Sequence, residues 1–173
     1  DSKVAIKIAT EVLKEFPEKY KKKWLEMMKK KLGLFGDDLN DEQLIIELLS
    51  WMHKNKADYT NTFCYLMNEK ILDEKIYTNQ DFINWKNQWQ ERLKLHNNSK
   101  EKSLKIMHSS NPLVIPRNHK VEEALDYANK NNLKPMLELL KILAKPYEKQ
   151  QAITNYQSPA PVSNTKYQTF CGT

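Results

Sequence analysis

A chain of 173 residues with 40% hydrophobic and 29% charged content, four Trp and eight Tyr carries enough aliphatic and aromatic side chains for one domain with a real core, which excludes a disordered or low-complexity polypeptide. The formal net charge is +6 and the pI about 9.1, yet very few of the 28 basic residues are Arg; a Lys-dominated surface lacks the forked donors that read phosphate and guanine, so a solvated face is expected and no nucleic-acid partner. The three glycines, Gly33, Gly36 and Gly172, exclude a Walker loop, a kinase-type glycine-rich loop and a Rossmann fingerprint, which need several glycines at fixed offsets.

No apolar run approaches the roughly 20 residues that span a bilayer, so no membrane partner is expected. The start, DSKVAIKIAT, has neither a signal peptide's apolar segment nor a Met, and reads as the cut end of a longer chain. Cys64 and Cys171 lie far apart and make no zinc-ligand spacing, which fits a reducing, cytoplasmic setting.

In chain order, Val4, Ile8, Val12, Leu13 and Phe16 recur at helical spacing, and Pro17 is expected to break that helix and open a second. The second carries Tyr20, Trp24, Met27, Met28 and Leu32 on one face and Lys22, Lys23, Lys29 and Lys30 on the other, with Gly33 as its stop. Asn40 or Asp41 can cap a third helix, with Leu44, Ile45, Leu48, Leu49 and Met52 as its stripe. Asp58 can cap a fourth over about 59–71, with Phe63, Leu66 and Met67 inward. Asp81 opens a run with Phe82, Trp85, Trp89 and Leu93 at strict helical spacing, and Trp at i and i+4 is expected in the core rather than as a stacking platform for bases.

NNSKEKSLKIMHSS predicts a short helix ending near Met107. In NPLVIPR, Pro112 and Pro116 bracket an apolar triplet, and each disfavours helix in the residue before it, so 111–117 should be extended. Asn118 is expected to cap a helix through Val121, Ala124, Leu125 and Ala128; residues 134–144, with Met136, Leu137, Leu140 and Leu143, form another, ended by Pro146. No alternating strand of useful length is visible. The expected class is all α: an irregular multi-helix domain over 1–148 with one extended segment at 111–117, then an irregular C-terminal tail over 149–173.

Chemistry is sparse. No two of His53, His96, His108 and His119 make the i, i+4 pair of a helical metal site, and no Ser or Cys sits in a nucleophile elbow. Asp58 reads as an N-cap before TNTF rather than a catalytic acid. Arg117, an Arg in a Lys-rich chain held between Pro116 and Asn118, can fork a carboxylate or several carbonyls; pinning the extended segment is the expectation, ahead of phosphate contact. Cys171, near the chain end, is equally a reactive thiol and a small apolar plug docked with Phe170.

Four segments, KLGL at 31–34, DYTNTF at 58–63, NPLVIPRNHKVEEAL at 111–125 with LAKPYE at 143–148, and the terminal YQTFCGT, together resemble the C-terminal part of the selenoprotein O family, the YdiU-type protein adenylyltransferases. Their order and spacing also resemble the family's, over nearly the whole chain; KLGL alone is a weak signal. The resemblance implies a C-terminal fragment of a kinase-like fold, its first helix continuing the C-lobe. It implies a parent protein that transfers AMP from ATP to Ser, Thr or Tyr hydroxyls of substrate proteins. The family's ATP-binding lysine, its paired glutamate and the metal-binding Asp and Asn lie upstream of the matched region. No catalytic, cofactor-binding or metal-binding residue is therefore expected within 1–173, while ATP and Mg or Mn are implied for the full-length protein.

The same resemblance places Cys171, third from the end, where some members carry selenocysteine, which favours a redox switch. Its partner thiol is Cys64 or one upstream, and the sequence leaves that choice open. Cys64 itself departs from the pattern, since many relatives carry a basic residue after DYTNTF. The implied partners are the upstream kinase-like region and substrate proteins, and an apolar face left bare on the fragment would promote self-association. The alternative is a stand-alone helical interaction module without enzymatic activity.

Overall fold

The computed structural model describes residues 1–69, 71, 74–95, 99–151 and 153–160. All the regular elements among them are helical: α1 (Ser2–Lys31), α2 (Asp41–Asn55), α3 (Tyr59–Leu66), a 3-10 turn (Lys75–Thr78), α4 (Gln80–Lys94), α5 (Lys100–Ser110), α6 (Asn118–Asn129), α7 (Lys134–Leu143) and α8 (Thr154–Gln157). They gather into two compact units, Asp1–Leu113 and Val114–Thr173. The division falls inside the extended, Pro-bracketed segment, whose Asn111 and Arg117 both have extended backbone angles.

The expected break at Pro17 does not occur, because α1 runs through it as one helix of 30 residues. Pro removes one intrahelical bond, but apolar residues recur every four positions across it, from Val4 through Phe16 and Tyr20 to Met28, as a stripe that winds slowly round the helix without interruption at Pro17. Only the far end of that stripe is buried: Met28 and Leu32 are enclosed, whereas Tyr20 and Met27 are exposed. Gly33 is the stop that the sequence predicts. At φ +69 it lets its own N–H reach Lys30 O and the Leu34 N–H reach Lys29 O, which closes the helix with the two crossed bonds of a Schellman motif.

Around that end the first unit builds its core from Ile45, Leu48, Phe63, Phe82, Trp85, Trp89 and Met107. Trp85 and Trp89 stack at 6.0 Å, and each buried indole N–H has an acceptor: Leu44 O at 2.8 Å for Trp85 and Leu32 O at 2.9 Å for Trp89. Both are core residues, as their spacing predicts. Cap assignments shift by a residue or two. The run expected to open at Asp81 begins one residue earlier, at Gln80, with Asn79 as its cap accepting from the Asp81 and Phe82 N–H groups. Asn40, one of the two expected caps, takes the cap position of α2 without a side-chain bond, while Asp41 is the first residue of the helix and uses its carboxylate elsewhere. The helix expected to reach about residue 71 stops at Leu66, after which Asn68 takes a left-handed φ of 59, and α5 runs past Met107 to Ser110.

In the second unit α6 and α7 pack as a hairpin. Leu139 and Ile142 are its buried leucine and isoleucine on α7, while Leu137 and Leu140, expected inward, are exposed. Lys134, Glu138 and Lys141 share one side of KPMLELLKIL and the apolar residues fill a broad arc opposite, of which only the edge at Leu139 and Ile142 is packed. Gln150 donates to Ile142 O and Lys145 O, both at 2.9 Å, and so satisfies carbonyls that the end of α7 leaves open.

Candidate functional site

Three of the quoted segments meet in the first unit. Lys31, the last residue of α1 and the start of KLGL, is 8% exposed. Its ammonium lies 4.4 Å from the centre of the Phe63 ring and 5.2 Å from that of Tyr59, both in α3, and donates to Ser110 O at 3.4 Å. Burial holds this amine below the ordinary lysine range, with the nearby Cys64 thiol opposing, and burial raises the Tyr59 phenol. Asn111, which opens NPLVIPR and is fully enclosed, donates through Nδ2 to Lys31 O at 2.8 Å and Met107 O at 2.9 Å. The Cys64 thiol points at Pro112 O, 3.8 Å away. One knot of ring faces and carbonyl bonds thus ties KLGL, DYTNTF and the start of NPLVIPR together.

Asp58 holds the head of α3 as predicted. Its carboxylate accepts from the Asn61 N–H at 2.8 Å, and its carbonyl accepts from the Thr62 hydroxyl at 2.7 Å. Thr62 is completely buried and shares a hydrogen bond with the Tyr77 hydroxyl at 3.1 Å. The polar residues of DYTNTF are therefore the inside of a helix start, which satisfies buried donors that would otherwise cost about 1–3 kcal/mol each.

A second cluster pins the loop between α1 and α2. Arg92 of α4, 7% exposed, donates through Nε to Asp41 Oδ1 at 2.7 Å and through Nη2 to Oδ2 at 3.0 Å, and also reaches Phe35 O at 2.9 Å. Lys29 donates to Gly36 O and lies 3.3 Å from Asp41 Oδ2. Burial alone would raise the Asp41 carboxyl, but the bonds and charge of Arg92, then Lys29 and the Asp38 N–H, outweigh it and hold the group below the usual carboxylate value. Neither Asp41 nor Arg92 is singled out for this role by sequence reasoning. The signal was available: Arg92 and Arg117 are the two Arg of the chain, and the rarity that draws attention to Arg117 applies equally to Arg92.

Arg117 and Asn118 belong to the second unit, Asp58 to the first. Arg117 occupies the cap position of α6 and Asn118, expected there, is the exposed first residue of the helix. Beside them burial holds His119 below its ordinary value, assisted by the charges of Lys120 and Arg117. Cys171 and Phe170 lie outside the described residues. No group of three or more His, Cys, Asp or Glu able to hold a metal occurs among the described residues, and no helix among them is long and apolar enough to cross a membrane.

The first unit is thus tied by an aromatic and carbonyl knot and a buried ion-pair cluster. A sequence profile of the family described as protein adenylyltransferase SelO matches residues 3–144. A protein nucleotidyltransferase YdiU of Pelagibacter ubique is 53% identical over 169 residues, covering 98% of this chain and 35% of the relative. Proteins of the same name from Alcanivorax borkumensis and Bacillus mycoides are 43% and 42% identical, covering 98% and 100% of this chain and 35% and 36% of theirs. The chain belongs to the SelO family of protein adenylyltransferases. It spans about a third of the length of the curated relatives it matches.

Proposed function

We propose that this chain is the noncatalytic, C-terminal helical region of a cytoplasmic protein that transfers AMP from ATP to Ser, Thr or Tyr hydroxyls of other proteins. The observation that carries the reading is identity of up to 53% over nearly all of this chain with nucleotidyltransferases about three times its length. ATP and Mg or Mn do not fit the groups described here. Asp41 is saturated by Arg92 and Lys29, and Lys31 is committed to two ring faces and a carbonyl. Three glycines cannot build a phosphate cradle. Nucleotide and metal are therefore assigned to the rest of the protein, and this region supports it through packing. Cys171 serves as a redox-sensitive thiol of the tail, Asp58 sets the head of α3, and Arg117 and Asn118 make contacts at the head of α6.

The test compares the 173-residue chain with the family-length polypeptide. The long form, given ATP labelled at the α-phosphate, Mg or Mn and an acceptor protein, should incorporate label; the short chain should neither incorporate label nor bind ATP with Mg in calorimetry. Tight ATP binding by the short chain, or no transfer by the long form with either metal, overturns the reading. For the tail, Cys171 in the long form should lose alkylation under the mild oxidation that changes activity; a Cys171 that stays fully alkylatable removes the redox role.

A further inference from the structure

From Asp1 to Lys23 every residue is exposed, although all but the first lie in α1. One side of this stretch is nevertheless apolar: Val4, Ile8, Val12, Phe16 and Tyr20, four residues apart, are each more than half exposed, and the Phe16 and Tyr20 rings stack at 5.9 Å. A bare helix of this composition is poorly supported in water. Isolated helices of this length are marginal, an interior Pro weakens one further, and the exposed Glu15–Lys19 pair returns little of that loss. The stripe needs a cover.

A second copy is a poor one. Residues 4–20 of an α-helix span about 24 Å, and a face about 10 Å wide offers on the order of 250 Å², against about 800 Å² per partner in a stable interface. Residues 1–23 also carry seven Lys against Asp1, Glu11, Glu15 and Glu18, so like charges would meet. A small face suffices when the partner is tethered, because linkage supplies an effective concentration in the millimolar range. The relatives are about three times as long as this chain, which leaves about two-thirds of a family-length polypeptide to supply such a partner.

We propose that Val4, Ile8, Val12, Phe16 and Tyr20 form the docking face for that remaining part of the polypeptide, which presents an apolar groove to them. This rests on the reading that the chain is one region of a longer AMP-transferring protein. Hydrogen–deuterium exchange without ATP tests it apart from that activity. Residues 4–20 should exchange fast in the dilute 173-residue chain and on the order of 100-fold more slowly in the family-length polypeptide, while residues 24–32 stay slow in both. V12E/F16E should restore fast exchange over 4–20 in the long polypeptide and leave the thermal midpoint of the 173-residue chain unchanged. If that variant prevents the long form from folding, Ile8→Ser should give a partial gain in exchange on a folded protein. Equal exchange over 4–20 in the two forms overturns the proposal. So does protection in the short chain that grows with its concentration, the mark of a second copy. Protection without AMP transfer would refute the activity alone, and transfer without protection would refute the docking face alone.

Discussion

Replacing Arg92 by Met should unfasten the loop between α1 and α2. Met keeps the apolar stem of the side chain and deletes the fork, so the loss is mainly polar. Two charge-assisted bonds to Asp41 and one to Phe35 O disappear, and Asp41, 2% exposed, keeps Lys29 at 3.3 Å as its remaining cation. Removing one partner of a buried pair costs about 3–5 kcal/mol; with Lys29 still present the lower end applies, about 3 kcal/mol, or roughly 10 °C in thermal midpoint. Urea unfolding followed by Trp fluorescence reads the first unit alone, since Trp24, Trp51, Trp85 and Trp89 all lie in it. The Asp41→Asn single variant and the double variant complete a cycle, whose coupling should exceed about 1.5 kcal/mol. The pH dependence has a definite sign: the folded Asp41 carboxyl is held low, so its contribution is present above the unfolded value near about 3.9 and is lost as pH falls through the folded value. The R92M penalty should therefore shrink in acid. A penalty under about 1 kcal/mol with an unchanged denaturant slope, or additive single variants, would refute the pin.

Lys31→Met should leave the chain as stable as wild type or more stable at neutral pH, because the buried ammonium is held below its ordinary pKa and costs stability while charged. As pH rises from the folded toward the unfolded lysine value the wild type should gain on the variant, since the unfolded state then binds more protons; urea midpoints at neutral and alkaline pH decide it, and a variant losing several kcal/mol at neutral pH would show that the ring contacts dominate. Gly33→Ala should cost about 2 kcal/mol, because φ is +69 and an added Cβ would stand 3.0 Å from Met107 Sδ and from Ser103 O; a thermal midpoint within about 2 °C of wild type would contradict it.

What the sequence shows and what it hides follow one physical division. Helix class, the stop at Gly33, the inward Trp85 and Trp89 and the cap by Asp58 are legible because each is set by residues within a few positions. The course through Pro17 is misread for the same reason: local propensity marks a break, but helical apolar spacing runs on unbroken from Val4 to Met28 in a single helix. On α7 the sequence shows the apolar side but not which edge of its broad arc packs, since Leu139 and Ile142 are buried and Leu137 and Leu140 are not. Long-range bonds are less accessible still. Arg92 and Asp41 are 51 residues apart, and Asn111 and Lys31 80 apart, so neither pair leaves a periodic trace. KLGL, DYTNTF and NPLVIPR are nevertheless recognisable as strings, and the structure supplies their physical content: they are the polar and aromatic sides of one knot that must match simultaneously. That gives the motifs a packing reason to be distinctive. Their residues constrain one another, through Lys31 on the Phe63 ring, Asn111 on Lys31 O and Cys64 on Pro112 O, so each string has a partner in space for its unusual members.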